Sequence, residues 1–300
     1  GAVVSGGKTL TVENGTVTFP ARGFKADGGH LIMKNVKASG FKARVAAVYS
    51  AENGGTRTSA SLSVDKDCVF TSDSSEDQII GVYGFDQPGQ SEDLVVSADI
   101  CGKIINTNPK ATVSPVSTFG SDVYSSQKIV LHDGAVVECA STECPAIYFP
   151  SRGELVLEGG SVKGTTGIYT KGGKIIVPKG SNAVVEATQA EHVPAEFNNN
   201  GCTNTGEALT IDNCHTTSPH GENLVYFQPD SHEVKGGTFK SACGVDVGSY
   251  ATHGENLSQR TAFSKFVSGG VFSSKVDDVL VADGFKCVEE GESFKVVAAE

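Results

Sequence analysis

Five glutamates and five tyrosines are the residues whose types and spacing suit them to chemistry. Glu138, Glu158 and Glu186 lie in the middle of the chain. Glu222 and Glu255 hold the same place in a near-literal repeat, His-Gly-Glu-Asn-Leu at 220–224 and again at 253–257. Hydrolysis of a glycosidic bond needs two carboxylates about 5 to 10 Å apart, one as acid and one as base or nucleophile. The tyrosines share a context, a small or apolar residue and then Val or Ile before the ring. It reads Ala47-Val48-Tyr49, Gly81-Val82-Tyr83, Ala146-Ile147-Tyr148, Gly167-Ile168-Tyr169 and Leu224-Val225-Tyr226, with Asp122-Val123-Tyr124 a looser member. Aromatic faces with a polar tip suit sugar rings. They also fill purely structural stacks, and both readings stay open.

Other chemistry is poorly supported. The histidines at 30, 132, 192, 215, 220, 232 and 253 form no His-x-His or His-x-x-x-His pair, so neither a metal nor a cofactor is expected. The eight cysteines lack the CxxC or Cys/His spacing of structural zinc. Buried unpaired thiols and one or two disulfides remain open, and Cys139 with Cys144 is the preferred pair if a disulfide forms. The net charge of −11, with arginines scattered singly, argues against a nucleic-acid partner. No apolar run approaches the ~20 residues needed to cross a bilayer.

The elements that would position these groups are legible in one stretch, Leu155 to Val177. Leu155 and Leu157 alternate with Val156 and Glu158, the period of a strand. A corner follows at Gly159-Gly160, Val162 resumes the apolar set, a third strand surrounds Ile168, and the pattern restarts. Copies of this template begin at Leu10 and Ile129, and weaker ones at His232 and Lys265. Partial copies begin at Leu31, Leu62, Leu94, Ile175 and Leu209. Starts about 20 to 35 residues apart indicate a solenoid, propeller or array. We therefore expect an all-β chain, a single right-handed parallel β-helix of roughly ten coils. In such a stack, equivalent side chains on adjacent coils lie ~4.8 Å apart. The tyrosines are then expected to form a ladder, and glutamates one or two coils apart to reach hydrolytic spacing.

The expected boundaries are 1–274 for the β-helix and 275–300 for a C-terminal cap within the same domain. The cap reads as a short helical turn over Val276 to Leu280 and a hairpin, Phe285 to Val288 with Ser293 to Val297. Ile104 to Val123, with Pro109 and Pro115, is the longest irregular run and is expected as a loop able to build a binding face. Gly1 reads as a residue left by tag removal, so signal and anchor are expected in a longer precursor. The chain is expected to be a monomer.

The coil text Leu-x-Leu-x-Gly-Gly-x-Val and the Gly-Ile-Tyr rung resemble right-handed parallel β-helix proteins of the pectin-lyase-like class. The tail, Ser268-Gly269-Gly270-Val271-Phe272-Ser273-Ser274 with Ala282-Asp283-Gly284-Phe285, resembles the end of secreted repeat proteins of gut Gram-positive bacteria. That resemblance implies an extracellular or cell-surface setting and no particular reaction. The hydrolase branch of the class carries Asn-Thr-Asp, Asp-Asp, Gly-His-Gly and Arg-Ile-Lys. Here Asn106-Thr107-Asn108 lacks the acid, Asp277-Asp278 falls in the cap, Pro219-His220-Gly221 lacks the first glycine, and Arg-Ile-Lys does not occur. The favoured expectation is a binding or adhesive module for a polysaccharide or cell-wall glycan. A polysaccharide lyase or glycoside hydrolase, and a passive stalk, are the alternatives.

Overall fold

The computed structural model describes residues 1–18, 23–39, 44–50, 58–84, 94–118, 126–151, 153–171, 173–189, 192–197, 208–211, 215–218, 225–227, 231–241, 246–249 and 264–300. Among them the chain is all β, without a helix. Long parallel sheets dominate, an arrangement compatible with a parallel β-helix or solenoid.

The strands sort into three parallel ladders. The first runs in chain order through Val3–Ser5, Phe24–Asp27, Ala46–Tyr49, Ile80–Tyr83, Val116–Thr118, Ile147–Phe149, Ile168–Thr170, Ala195–Phe197, Val225–Phe227 and Val247–Ser249. The second starts in the first halves of Thr9–Thr18 and His30–Ser39 and passes through Ala60–Val64, Val95–Ile100, Ser126–Leu131, Gly153–Leu157 and Lys174–Val177. The third starts in their second halves and passes through Val69–Ser72, Lys103–Asn106, Val136–Cys139, Ser161–Gly164 and Val184–Ala187. One strand from each ladder makes a coil.

The apolar positions of the repeat lie over one another. Leu155 pairs with Ile129 on one side and Ile175 on the other, and all three are buried. The third ladder continues through His215–Ser218, Thr238–Ser241 and Val271–Phe272, and on it Phe239 and Phe272 stack with ring centroids 4.9 Å apart. Burying each such side chain contributes about 1.5 to 3 kcal/mol, and repetition along the stack makes one continuous core. The corner between the second and third ladders depends on glycine. Gly160 has φ +81°, and a Cβ there would lie 2.6 Å from the carbonyl oxygen of Ala135. Elsewhere Asn serves this corner. Asn14 and Asn35 have φ 56° and 48°, and the Asn35 amide donates to Asn14 Oδ1 over 3.1 Å.

The C-terminal end changes direction. Ser293–Ala298 pairs antiparallel with Val271–Phe272 and with Phe285–Glu290. The hairpin thus covers the last strand of the third ladder, an edge that would otherwise recruit other chains. The expected helical turn over Val276 to Leu280 is not a helix. It is a hydrogen-bonded turn in which Leu280 N donates to Asp277 O over 2.9 Å. Asp277 Oδ1 also accepts from Val279 N at 3.1 Å, and such a local bond competes with helix propagation.

Candidate functional site

The first ladder carries the tyrosines, and its pairing gives them two registers instead of one. Tyr49 pairs with Tyr83. Two positions earlier along the same strands runs another outward column, Ala47, Gly81, Ser117, Tyr148, Tyr169 and Glu196. The expected single ladder is therefore corrected to two stacked pairs. Tyr49 and Tyr83 stack with centroids 4.8 Å apart, and Tyr148 and Tyr169 at 5.8 Å. The shared tripeptide misled because Ala146-Ile147-Tyr148 sits two positions earlier along its strand than Ala47-Val48-Tyr49 does. Tyr226 holds the Tyr148 register by its backbone.

Gly81 links the two columns. A Cβ on it would meet Tyr83 Cε2 at 2.3 Å, so the Tyr83 ring lies back over Gly81 toward the Tyr148 column. That ring is held on several sides. Its hydroxyl donates to Gln78 Oε1 over 3.0 Å, and Arg44 Cζ sits 4.7 Å from its centroid. Arg44 in turn donates to Gln78 Oε1 and to the Tyr49 hydroxyl. Burial raises the pKa of the Tyr83 hydroxyl, against the opposing Arg44 charge, so it remains a donor at neutral pH.

Beside these rings lies a groove of about 650 Å³. It is lined by Gln78 and Tyr83, then Thr112, Val113, Ser114, Ser117 and Thr118, then Glu143, Cys144, Pro145 and Tyr148, then Thr166 and Tyr169, and finally His192 and Glu196. Each group belongs to the next coil, either on the first-ladder strand or in the turn that enters it. The expected loop over Ile104 to Val123 contributes Thr112 to Ser114, its described part also holds strand residues of Lys103–Asn106 and the strand Val116–Thr118, and 119–123 lie outside the described residues.

The turn bearing Glu143 and Cys144 is tied to both neighbouring coils. Ser141 Oγ accepts from Glu143 N and Cys144 N and donates to Ala111 O, while Thr165 Oγ1 donates to Ser141 O. Cys139 and Cys144 are buried free thiols with sulfurs 3.5 Å apart. Their mutual hydrogen bond lowers the pKa of the Cys144 thiol and, with burial, raises that of Cys139. Across the groove, His192 Nδ1 lies 3.2 Å from Thr166 Oγ1.

Of the glutamates singled out from sequence, the described ones, Glu138, Glu158 and Glu186, lie elsewhere. Glu138, Lys163 and Glu186 occupy one column of the third ladder, with Lys163 Nζ 2.8 Å from Glu186. A lysine thus stands between the two acids, the pattern of an alternating surface charge ladder. Glu158 sits at the corner after the second ladder, 2.8 Å from His132 Nδ1, whose Nε2 is 3.3 Å from Asp99. Glu222 and Glu255, with their surrounding repeat, lie outside the described residues, as do Tyr124, Cys202 and Cys214. The acids that do line the groove, Glu143 and Glu196, were not picked out from sequence. A signal for Glu196 existed. Pro115 and Pro194 both stand immediately before a first-ladder strand, where proline is tolerated, and counting from them aligns Glu196 with Ser117.

Among the described residues no three His, Cys, Asp or Glu side chains are placed to hold a metal ion, and no helix is long and apolar enough to cross a membrane. What the groove offers is aromatic surface flanked by hydroxyl, amide, imidazole and carboxylate groups. Comparison of the chain with protein families, curated proteins and solved structures finds no match.

Proposed function

We propose that the chain is a right-handed parallel β-helix of the pectin-lyase-like kind that acts as a secreted or cell-surface binding module. Its ligand is a glycan held in the groove beside the first ladder. The observation that carries this reading is the stacked pair Tyr148–Tyr169 lining a groove of about 650 Å³ among hydroxyl, amide, imidazole and carboxylate side chains. A site of this kind, apolar surface with a few placed polar groups, suits a ligand with apolar ring faces and hydroxyl edges. The extracellular setting rests on the resemblance of the Ser268–Ser274 tail to secreted repeat proteins of gut Gram-positive bacteria.

The test is a glycan array with the native protein and with Tyr148→Ala and Tyr169→Ala. Binding that disappears in both variants while the β-sheet circular dichroism is retained is the expected result. Unchanged binding in either variant removes the groove from the site.

A further inference from the structure

The groove wall carries two thiols in contact. Cys139 ends the third-ladder strand Val136–Cys139, and Cys144 lies in the turn that leads to Ile147–Phe149. Their sulfurs are 3.5 Å apart, and both are free. Bonds that do not involve the thiols hold them there. Ala140 N donates to Asn106 O over 2.9 Å, Ser141 Oγ donates to Ala111 O, and Ser141 O accepts from Thr165 Oγ1. The turn between the two cysteines is thus fixed to the coil on each side. A disulfide needs sulfurs about 2.05 Å apart, so closing this one takes a shift of about 1.5 Å shared between two side chains.

The two sulfurs differ in access and in acidity. Among the described lining residues is Cys144, but not Cys139. The hydrogen bond between them favours the Cys144 thiolate, while the same bond and burial hold Cys139 protonated. The thiolate is the nucleophile in thiol–disulfide exchange. Cys144 is therefore placed to react first, with Cys139 beside it to react second.

We propose that Cys144 and Cys139 form a reversible thiol–disulfide site in the groove wall, at which Cys144 exchanges with a low-molecular-weight disulfide and Cys139 then closes the protein disulfide. In the first step Cys144 gives its proton to solvent and its sulfur attacks the reagent. The reagent's S–S bond breaks, and one half leaves as a thiolate that takes up a proton. In the second step Cys139 loses its proton and attacks Cys144 Sγ. The mixed disulfide breaks, and the other half leaves as a thiol. Two protein thiols are oxidised and one reagent disulfide is reduced to two thiols. The site acts whatever ligand the groove takes.

The test uses the whole chain, reduced with dithiothreitol, freed of it, and exposed to glutathione disulfide without denaturant. Peptide mass mapping is expected to show Cys139 joined to Cys144 with the loss of two hydrogens. Dithiothreitol, again without denaturant, is expected to restore both thiols. Cys139→Ser stops after the first step and retains one glutathione on Cys144. Cys144→Ser takes up none on Cys139 over the same time. The crosslink is read on the unsubstituted protein, so it decides the proposal even where a variant fails to fold. Absence of the Cys139–Cys144 crosslink, or a crosslink that dithiothreitol leaves intact, overturns the inference. So does glutathione appearing on Cys139 in Cys144→Ser as fast as on Cys144 in Cys139→Ser.

Discussion

Substituting Gly81 tests the geometry of the groove wall without altering a lining residue. A Cβ at this position would lie 2.3 Å from Tyr83 Cε2 and 2.6 Å from both Cζ and the hydroxyl oxygen. All three of these atoms belong to the Tyr83 side chain, so Gly81→Ala expels the ring. Tyr83 then gives up its stack on Tyr49, about 0.5 to 1.5 kcal/mol. It also gives up its hydrogen bond to Gln78, about 0.5 to 1.5 kcal/mol, and the Arg44 contact, about 0.5 to 1 kcal/mol. Gly81 is not in the left-handed region, so alanine recovers about 0.4 to 1 kcal/mol by restricting the unfolded chain. A net loss of about 2 kcal/mol is expected from urea unfolding followed by circular dichroism. The decisive comparison is the same substitution in a Tyr83→Ala background. With the ring absent it should be neutral or slightly stabilising, which gives positions 81 and 83 a coupling of about 2 to 3 kcal/mol. Equal cost in both backgrounds would refute the account, because the clash would then not be with Tyr83.

Three further outcomes are expected. The amides of Asn35 and Asp67 donate to Asp65 Oδ1 over 3.1 and 3.0 Å. Although burial raises the pKa of this carboxyl, these bonds bring it below the usual value. A depressed folded value adds stability above the unfolded pKa of about 4 and loses it as pH falls through the folded one. The stability gap between native protein and Asp65→Asn, about 1 kcal/mol at pH 7, should therefore shrink in urea titrations below about pH 4; a constant gap would exclude the mechanism. In native alkylation read by peptide mass, Cys144 should label before Cys68, because Cys144 lines the groove and burial pushes the Cys68 thiol up to about 11; the reverse order would count against this assignment. Lys163→Ala should cost no more than about 1 kcal/mol at low salt and nothing measurable in 1 M salt. A larger, salt-independent loss would mean that Lys163 supports the third ladder by packing, not by charge.

The strands were legible because the coil repeats one physical demand. Leu155, Ile129 and Ile175 must each fill the same interior position, so alternation and the glycine corner recur in the text. The edges of the chain were less legible. At Val276 to Leu280 the apolar spacing resembles one helical turn, and only the Asp277 side chain, bonding to the Val279 amide, decides against it. Register across the first ladder was beyond reach of the tripeptide alone. Outward positions face no common core, so nothing compels Tyr49 and Tyr148 to share a column even though the residues before them are alike.

The same argument explains why the groove acids escaped notice. Glu138 and Glu186 stood out because they lie in clean coil text, yet clean text is where strands pair regularly and outward charges neutralise one another, as Lys163 does here. A groove needs departures from that regularity. It forms where Ser117 replaces a ring in the outward column, where Gly81 lets Tyr83 lie over its neighbour, and where turns such as Ser141 to Pro145 enter the ladder. These are the positions at which the repeat is broken, so a template built from what the coils share passes over them. Where parallel ladders make their core by repetition, the residues that differ from one repeat to the next are the ones free to make a site.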